Sequence, residues 1–546
     1  VQEAEQPNEA RGRNAGASAH TANIVGRAVR GAFWMVFTSM GARVIGIVGT
    51  LAVTHYLSPA EYGEVSLAAL VMFTASTAAN CGLGQYIVSK PKADLGDVFQ
   101  GLFWFFGLGL LFTALALVFE GPIGGLIAAP AMGRLLPGLA IASVLDRVVI
   151  VLDRVQLRDM QFRRVGVLRA LGELVYTSVS LGLAARAAGT PFGGGMALVY
   201  GTLARAAVRL VALGVVTALA TWWRPTRITW ARTREFFQFG LPMWIVTLAG
   251  FGASKFDNFV FSHHFGPHNA GYYNLAYNFA DLPASLVSEQ VGDVLVPSFA
   301  HMKNDDERRH ALLLSLRMLT LICAPLCAGL AMVAPTLVKL TFTDDYVEGV
   351  YRILRVLTMF GIARTIVWIG NSYLQVRNQQ RVIMVLETAR MVGIVVFMHA
   401  FVLMGRSVSG RPYAHLWACA SVLVVFSLSA FSYMVYIRKL DGISLVNQIL
   451  PLLPPILACV PMVLAIYGER HLMLRLGVFP TPLDTHSNLE RLMVFGPRLV
   501  VEILVGAVAF VPSALVVAPS ASREFIAVVR DALARRRQQA TVEAAA

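Results

Sequence analysis

Long apolar runs separated by short polar loops dominate this chain. Runs at about 32–56, 64–88, 101–119, 135–152, 165–187, 195–221, 238–262, 272–298, 312–334, 350–375, 382–405, 413–437, 446–468 and 494–518 are each long enough for a helix to cross a bilayer. They predict an all-α integral membrane protein with about 14 transmembrane helices. Pro242, Pro283, Pro325 and Pro461 fall inside such runs, where neighbouring helices satisfy the freed backbone groups. Residues 1–26, rich in Ala, Gly, Asn and Glu, read as a disordered tail.

The most informative run is Phe251 to Pro297. It reads as an apolar helix, a tight polar turn from Phe265 to Gly271, and a second apolar helix. Lys255, Asp257, Asp281, Glu289 and Asp293 lie within or at the ends of these helices. Ionisable groups at membrane depth are costly, so they face a bundle interior or a watery path. The same pattern occurs earlier: His55 to Gly63 aligns without gaps on His263 to Gly271, and Leu67-Ala68 then falls on Leu275-Ala276. Both copies join two apolar helices through a Pro-x-x-x-Gly turn. Duplicated halves of this kind characterise many transporters, with substrate handled between them.

Composition agrees with the pattern. Hydrophobic residues make up 56% and charged residues only 14%, against about 25% charged in soluble domains. The net charge of +14 lies in short loops rather than on one face, which argues against nucleic acid. One set of loops carries Arg27, Lys90, Arg158, Arg163, Arg164, Arg224, Arg227, Arg308, Arg309, Arg377, Arg438 and Lys439. The opposite set carries far fewer, among them Arg134, Arg186, Lys339 and Arg406. The positive-inside rule therefore places both termini in the cytoplasm. Residues 1–30 lack the apolar core of a cleavable signal, leaving the first helix as the insertion signal. Cys81, Cys323, Cys327, Cys419 and Cys459 have no metal or redox spacing and read as small core residues. In the tail, Phe525, Ile526, Val529 and Leu533 share one helical face ahead of Arg535-Arg536-Arg537. That suits either an anionic membrane surface or a solvated basic end. The 469–491 loop shows no motif.

There is no phosphate-cradling G-x-x-x-x-G-K-[ST], no H-E-x-x-H and no G-x-S-x-G, so nothing points to an ATP-driven pump or an enzyme. What stands out is a set of intramembrane cations: Arg43, Arg205, Arg209, Lys255, Arg364 and Arg390. Facing a cavity they would attract an anion such as a diphosphate, since Arg pairs bidentately with phosphate oxygens. Taken singly, each is equally explained by a local salt bridge or a snorkelling side chain. Arg169 and Glu173 at i, i+4 and Glu387 and Arg390 at i, i+3 are spaced to pair on their helices. Asp146-Arg147 and Asp153-Arg154 repeat at seven residues and read as interfacial anchors or a cytoplasmic vestibule. Asp257, Asp281 and Glu289 are candidates for coupling or gating.

The runs Phe236-Phe237-Gln238-Phe239-Gly240-Leu241-Pro242, Lys255-Phe256-Asp257-Asn258, Phe265-Gly266 and Gly271-Tyr272-Tyr273-Asn274-Leu275-Ala276-Tyr277 resemble the middle of a known family. These are the Wzx-type, colanic-acid-exporter-like polysaccharide flippases of the multidrug/oligosaccharidyl-lipid/polysaccharide (MOP) superfamily. Ala32-Phe33-Trp34, Leu57 to Gly63, Gln161-Phe162-Arg163-Arg164 and Val296-Pro297 extend the resemblance over roughly Arg27 to Leu464. It implies two six-helix bundles in a V shape, 27–231 and 232–440, and two additional helices within 441–518; the residue pattern itself gives a cytoplasmic amphipathic basic tail at 519–546. It also implies a flippase of undecaprenyl-diphosphate-linked oligosaccharide in the bacterial inner membrane, serving exopolysaccharide, capsule or O-antigen synthesis. Its partners would be that lipid-linked glycan, membrane lipids, and polymerase and export machinery. No cofactor is implied beyond coupling to H+ or Na+. Rival readings are a lipid-II flippase, a cation-coupled multidrug exporter of the same superfamily, and a polymerase or glycosyltransferase.

Overall fold

In a computed structural model the described residues are 41, 44–80, 95–158, 161–186, 194–216, 226–285, 299, 302, 304–408, 413–476, 488–527 and 530. Every regular element among them is helical. Among the described residues, nine helical stretches are long and apolar enough to cross a membrane, ten if a pair bent by 44° counts as one span. This is a multi-pass membrane protein.

The helices gather into two compact units. Unit one comprises 1–57, 68–122 and 131–241. It holds α1 (Val44–Thr54), most of α2 (Pro59–Ala78), α3 (Leu95–Val118), α5 (Met132–Arg158), α6 (Phe162–Arg186), α7 (Gly195–Val216) and the start of α8 (Trp230–Ala284). The short α4 (Glu120–Leu126) straddles the division. Within this unit α7 packs along both α5 and α6, and α3 packs against α5. Val149, Leu152 and Leu213 form a buried contact between α5 and α7.

Unit two comprises 58–67, 123–130 and 242–546. It holds the rest of α8, then α9 (Asp305–Thr341), α10 (Asp344–Leu357), α11 (Phe360–Val376), α12 (Gln380–Val408) and α13 (Ala414–Asp441). The short α14 (Leu445–Ile449) and α15 (Leu453–Leu457) lead into α16 (Cys459–Arg475), and α17 (Asn488–Val517) follows. α13 lies against α10, α11 and α12. It ends at Gly442, whose φ of 72° provides the left-handed cap that side chains resist. The last two long helices, α16 and α17, pack on each other and on α9.

The tight polar turn expected over 265–271 is a single-residue break. Gly266 alone leaves helical geometry, at φ 75°, and Pro267 restarts the helix at once. α8 thus carries two of the expected spans as one interrupted element, yet it is absent from the nine apolar stretches. Lys255, Asp257, Asn258, His263, His264 and Asp281 lower its hydropathy. The equivalent turn before α2 is closed by a capping box. Glu61 accepts from the Ser58 N–H and hydroxyl, and Ser58 accepts from the Glu61 N–H.

Cys323, Cys327, Cys419 and Cys459 are free and buried, as core residues should be, and Cys81 lies outside the described residues. The start of the basic tail is a helix over 519–527 packed within unit two. Arg317 bridges to Glu524 at 3.0 Å, and Ala518 and Ala521 pack with Leu321 and Ala514. Val529, Leu533 and Arg535-Arg536-Arg537 lie outside the described residues.

Candidate functional site

In unit two, residues 273, 277 and 281 recur every four positions and so share one face of α8. Asp281 pairs with Arg364 of α11, and the Arg364 guanidinium donates to the Tyr277 hydroxyl at 3.5 Å. Lys255 approaches the same tyrosine, its Nζ 5.2 Å from the ring centroid. Two cations from different helices therefore meet on one buried phenol, a ring whose face attracts positive charge. Tyr277 is fixed from behind by Phe360, stacked at 5.4 Å.

Asp257, 1% exposed, does not pair with Lys255 two residues before it, as their helical spacing implies. It accepts from the Tyr273 hydroxyl at 2.6 Å and from the Asn258 side chain at 3.0 Å. Asn274 joins that group through Asn258 at 3.2 Å, and Tyr62 donates to Asn274 at 3.4 Å. A buried carboxylate is tolerated where such donors replace its water.

Deeper between α8, α11, α12 and α13, Arg390 pairs with Glu387, which also accepts from the Tyr433 hydroxyl at 3.0 Å. The expected i, i+3 pair therefore exists. A cavity of about 190 Å³ opens beside it, bordered by Arg364, Arg390 and Glu387.

Unit one holds a second ionic cluster. Asp153 of α5 accepts from Arg209 at 2.8 Å and from Arg169 at 3.3 Å, while Glu173 pairs with Arg205 at 3.2 Å. The expected pairing of Arg169 with Glu173 along one helix is thus corrected. Both side chains reach across to neighbouring helices, where a better-buried partner waits. Asp153 and Arg147 are buried within unit one, only 6% and 1% exposed. Arg147 lies 5.2 Å from the Phe105 ring centroid and donates to the Phe105 and Ser76 carbonyls.

Of the six cations singled out from sequence, Lys255, Arg364 and Arg390 come together in unit two, and Arg205 and Arg209 in unit one. Arg43 and the candidate Glu289 lie outside the described residues. The carboxylates interleaved among these cations carry as much weight as the cations: each described Arg of the set has an acid partner. Tyr273 and Tyr277 stood out in the sequence only within the family motif and Tyr433 not at all, although the four-residue spacing from 273 to 281 was a usable signal. Sequence reading also passed over Glu502 of α17, which is fully buried and accepts from Thr336 at 2.8 Å and Arg470 at 2.8 Å, with Arg498 at 3.4 Å.

The family model described as "Polysaccharide biosynthesis protein" matches residues 53–351, more than half of the chain. The chain belongs to this polysaccharide biosynthesis family. Among similar proteins, the succinoglycan biosynthesis transport protein ExoT of Rhizobium meliloti (strain 1021) is 28% identical over 312 residues, 56% of this chain and 61% of that protein. The lipopolysaccharide biosynthesis protein WzxC of Escherichia coli (strain K12) is 22% identical over 344 residues, 62% of this chain and 68% of that one. Matched stretches thus span only about two thirds of these relatives. Among solved structures, the lipid II flippase MurJ in an inward closed conformation aligns with a TM-score of 0.64 at 13% identity, covering 88% of this chain and 98% of that one. An inward-facing multidrug resistance MATE transporter of the MOP superfamily aligns at 0.52 and 15% identity, over 75% of this chain and 94% of that chain. At such identities the likeness is one of fold, and the fold is the MOP type.

Proposed function

We propose that this protein is a flippase, not an enzyme. It carries undecaprenyl-diphosphate-linked oligosaccharide repeat units from the cytoplasmic to the periplasmic leaflet of a bacterial inner membrane by alternating access. The glycan then feeds exopolysaccharide, capsule or O-antigen synthesis, with polymerase and export machinery as downstream partners. Family membership and the MOP-type fold support this reading. The observation that carries it is the meeting of Arg364 and Lys255 on the buried Tyr277.

The chemistry follows from the pairing. A lone guanidinium at membrane depth is strongly disfavoured, and Asp281 neutralises Arg364. A diphosphate oxygen can take Asp281's place in the ion pair with Arg364, so loading exchanges one anion for another instead of burying a bare charge. The displaced Asp281 then needs a proton or a cation, which gives an H+ or Na+ gradient a point of action; Asp257 is the second candidate. The membrane potential contributes about 2.3 kcal/mol per charge per 100 mV. Both termini are assigned to the cytoplasm on the basic-loop asymmetry.

The deciding experiment follows radiolabelled sugar in polyprenyl-linked oligosaccharide, separated by leaflet, in a strain lacking the protein. Complete repeat units held on the cytoplasmic leaflet, with no polymer outside, are expected. Single repeats gathered on the outer leaflet would instead identify a polymerase and end the flippase reading.

A further inference from the structure

The last turn of α8 before the Gly266 break is held by α12 through a pair of imidazoles. His264 Nε2 and His399 Nδ1 face each other at 2.6 Å, with ring centroids 4.6 Å apart and planes at 80°. Seven residues beyond His399, on the same face of α12, Arg406 donates to the His264 carbonyl at 3.3 Å. α12 thus grips this turn by a side chain and by the backbone. Both imidazoles are half-buried.

Their separation selects the ligand. Two nitrogens bound to one tetrahedral zinc ion, at about 2.0–2.1 Å each, would stand about 3.4 Å apart, so the observed spacing is that of a hydrogen bond. Among the described residues no third His, Cys, Asp or Glu completes a metal-binding set. What fits between the two nitrogens is one hydrogen. A neutral imidazole carries its proton on one nitrogen, so in the neutral pair one ring donates to the bare nitrogen of the other.

Counting protons gives the pair three states. A first added proton settles on an outer nitrogen, leaves the N–H···N bond in place and makes it charge-assisted, hence stronger. A second puts a hydrogen on both facing nitrogens, which then repel and must part. The surroundings do not supply a counter-charge for that state. His263 of α8 lies 5.2 Å from the His264 ring and 6.1 Å from the His399 ring, and its Nδ1 donates to the Leu126 carbonyl of α4 at 2.6 Å. α12 contributes the Arg406 cation, and α13 brings His415 to 6.4 Å from the neighbouring Phe265 ring. Among the described residues no carboxylate pairs with either imidazole.

We propose that His264 and His399 form a proton-binding clamp between α8 and α12, which one excess proton tightens and a second releases. The basic-loop asymmetry puts Arg406 on the outer side, so the protons come from the outer aqueous phase. The clamp does not depend on what the protein carries, and it stands or falls separately from the flippase reading.

The test is solid-state NMR on the full-length chain in lipid bilayers, with isotope-labelled histidine nitrogens, from about pH 8 to about pH 4, a range that brackets imidazole titration. His264→Asn and His399→Asn assign the signals. A nitrogen–nitrogen correlation through one shared hydrogen should be present at the start, persist through the first protonation step and vanish in the second. Either substitution should abolish it. Hydrogen exchange reads the grip itself. Protection of the α12 amides after His399 should fall about tenfold at the second step, and should stay level with pH in His399→Asn. If His399→Asn does not fold, His264→Asn breaks the same pair from α8, and the two-step course of the unsubstituted protein decides without either. No correlation at any pH, its loss at the first step, or protection that ignores the second step overturns the proposal.

Discussion

Gly63 and Gly271, equivalent positions in the two copies of the Pro-x-x-x-Gly turn, pack directly against each other. A Cβ on Gly63 would collide with the Pro267 carbonyl and lie 2.9 Å from the Gly271 nitrogen. On Gly271 it would collide with the Pro59 carbonyl and lie 3.3 Å from the Gly63 nitrogen. The contact is reciprocal: each glycine admits the backbone of the other repeat, as small residues do where membrane helices approach closely. Tyr62, beside Gly63, reaches Asn274 and through it the Asn258–Asp257 group. The duplicated turn is therefore tied by hydrogen bonds to a buried carboxylate.

Gly63→Val and Gly271→Val should each destabilise by about 1–3 kcal/mol, the range for overpacking. Because both disrupt one contact, the double variant should lose clearly less than the sum. Thermal unfolding of the four proteins in nanodiscs gives the cycle. Strict additivity would mean that the two glycines do not share a contact.

Removing Asp281 alone leaves Arg364 without its acid. Asp281→Ala should lower stability by about 3–5 kcal/mol, while Asp281→Leu/Arg364→Met should recover most of it. Export in the repaired double variant should remain lost, since the phosphate partner is gone. Full export there would rule out a role for Arg364 in transport.

Tyr277→Phe removes only a long hydrogen bond at 3.5 Å and keeps the ring beside Lys255. It should retain most export activity, at a loss of about 0.5–1.5 kcal/mol in stability. Tyr277→Leu removes ring and hydroxyl together and should abolish export. Equal activity of the two variants would show that the ring does not matter.

In unit one, Asp153 serves two arginines, so Asp153→Ala strands both Arg169 and Arg209. It should destabilise more than Arg209→Ala, which leaves Arg169 on the carboxylate. Unfolding midpoints of the two variants measure the order, and the reverse order would contradict the shared-acceptor arrangement.

Glu502→Ala should leave Arg470, Arg498 and Thr336 without their common acceptor, at about 3–5 kcal/mol. The effect should be local to the last two long helices. Limited proteolysis should cut near α16 and α17 while the preceding helices stay protected. Uniform loosening of unit two would argue against a local clamp.

Helical class, membrane residence and the duplicated turn were legible in the chain, because each depends on local pattern. Apolar runs of bilayer length can be satisfied only by helices, and Gly266-Pro267 announces its own break. The sequence-to-structure differences concern partners. Arg169 was four residues from Glu173 but found Asp153, sixteen residues away on another helix. That Asp257 would not pair with Lys255 followed from their spacing, but its partner Tyr273 did not. Within a membrane helix every ionisable group is under pressure to find the best-buried counter-group, and helix packing, not spacing, decides which one is within reach. A count of basic residues identified where cations sit. Spacing alone paired Arg390 with Glu387, but it took the tertiary structure to show that Asp281, Asp153 and Glu173 neutralise Arg364, Arg209 and Arg205, because a counter-ion on another helix is chosen by three-dimensional proximity.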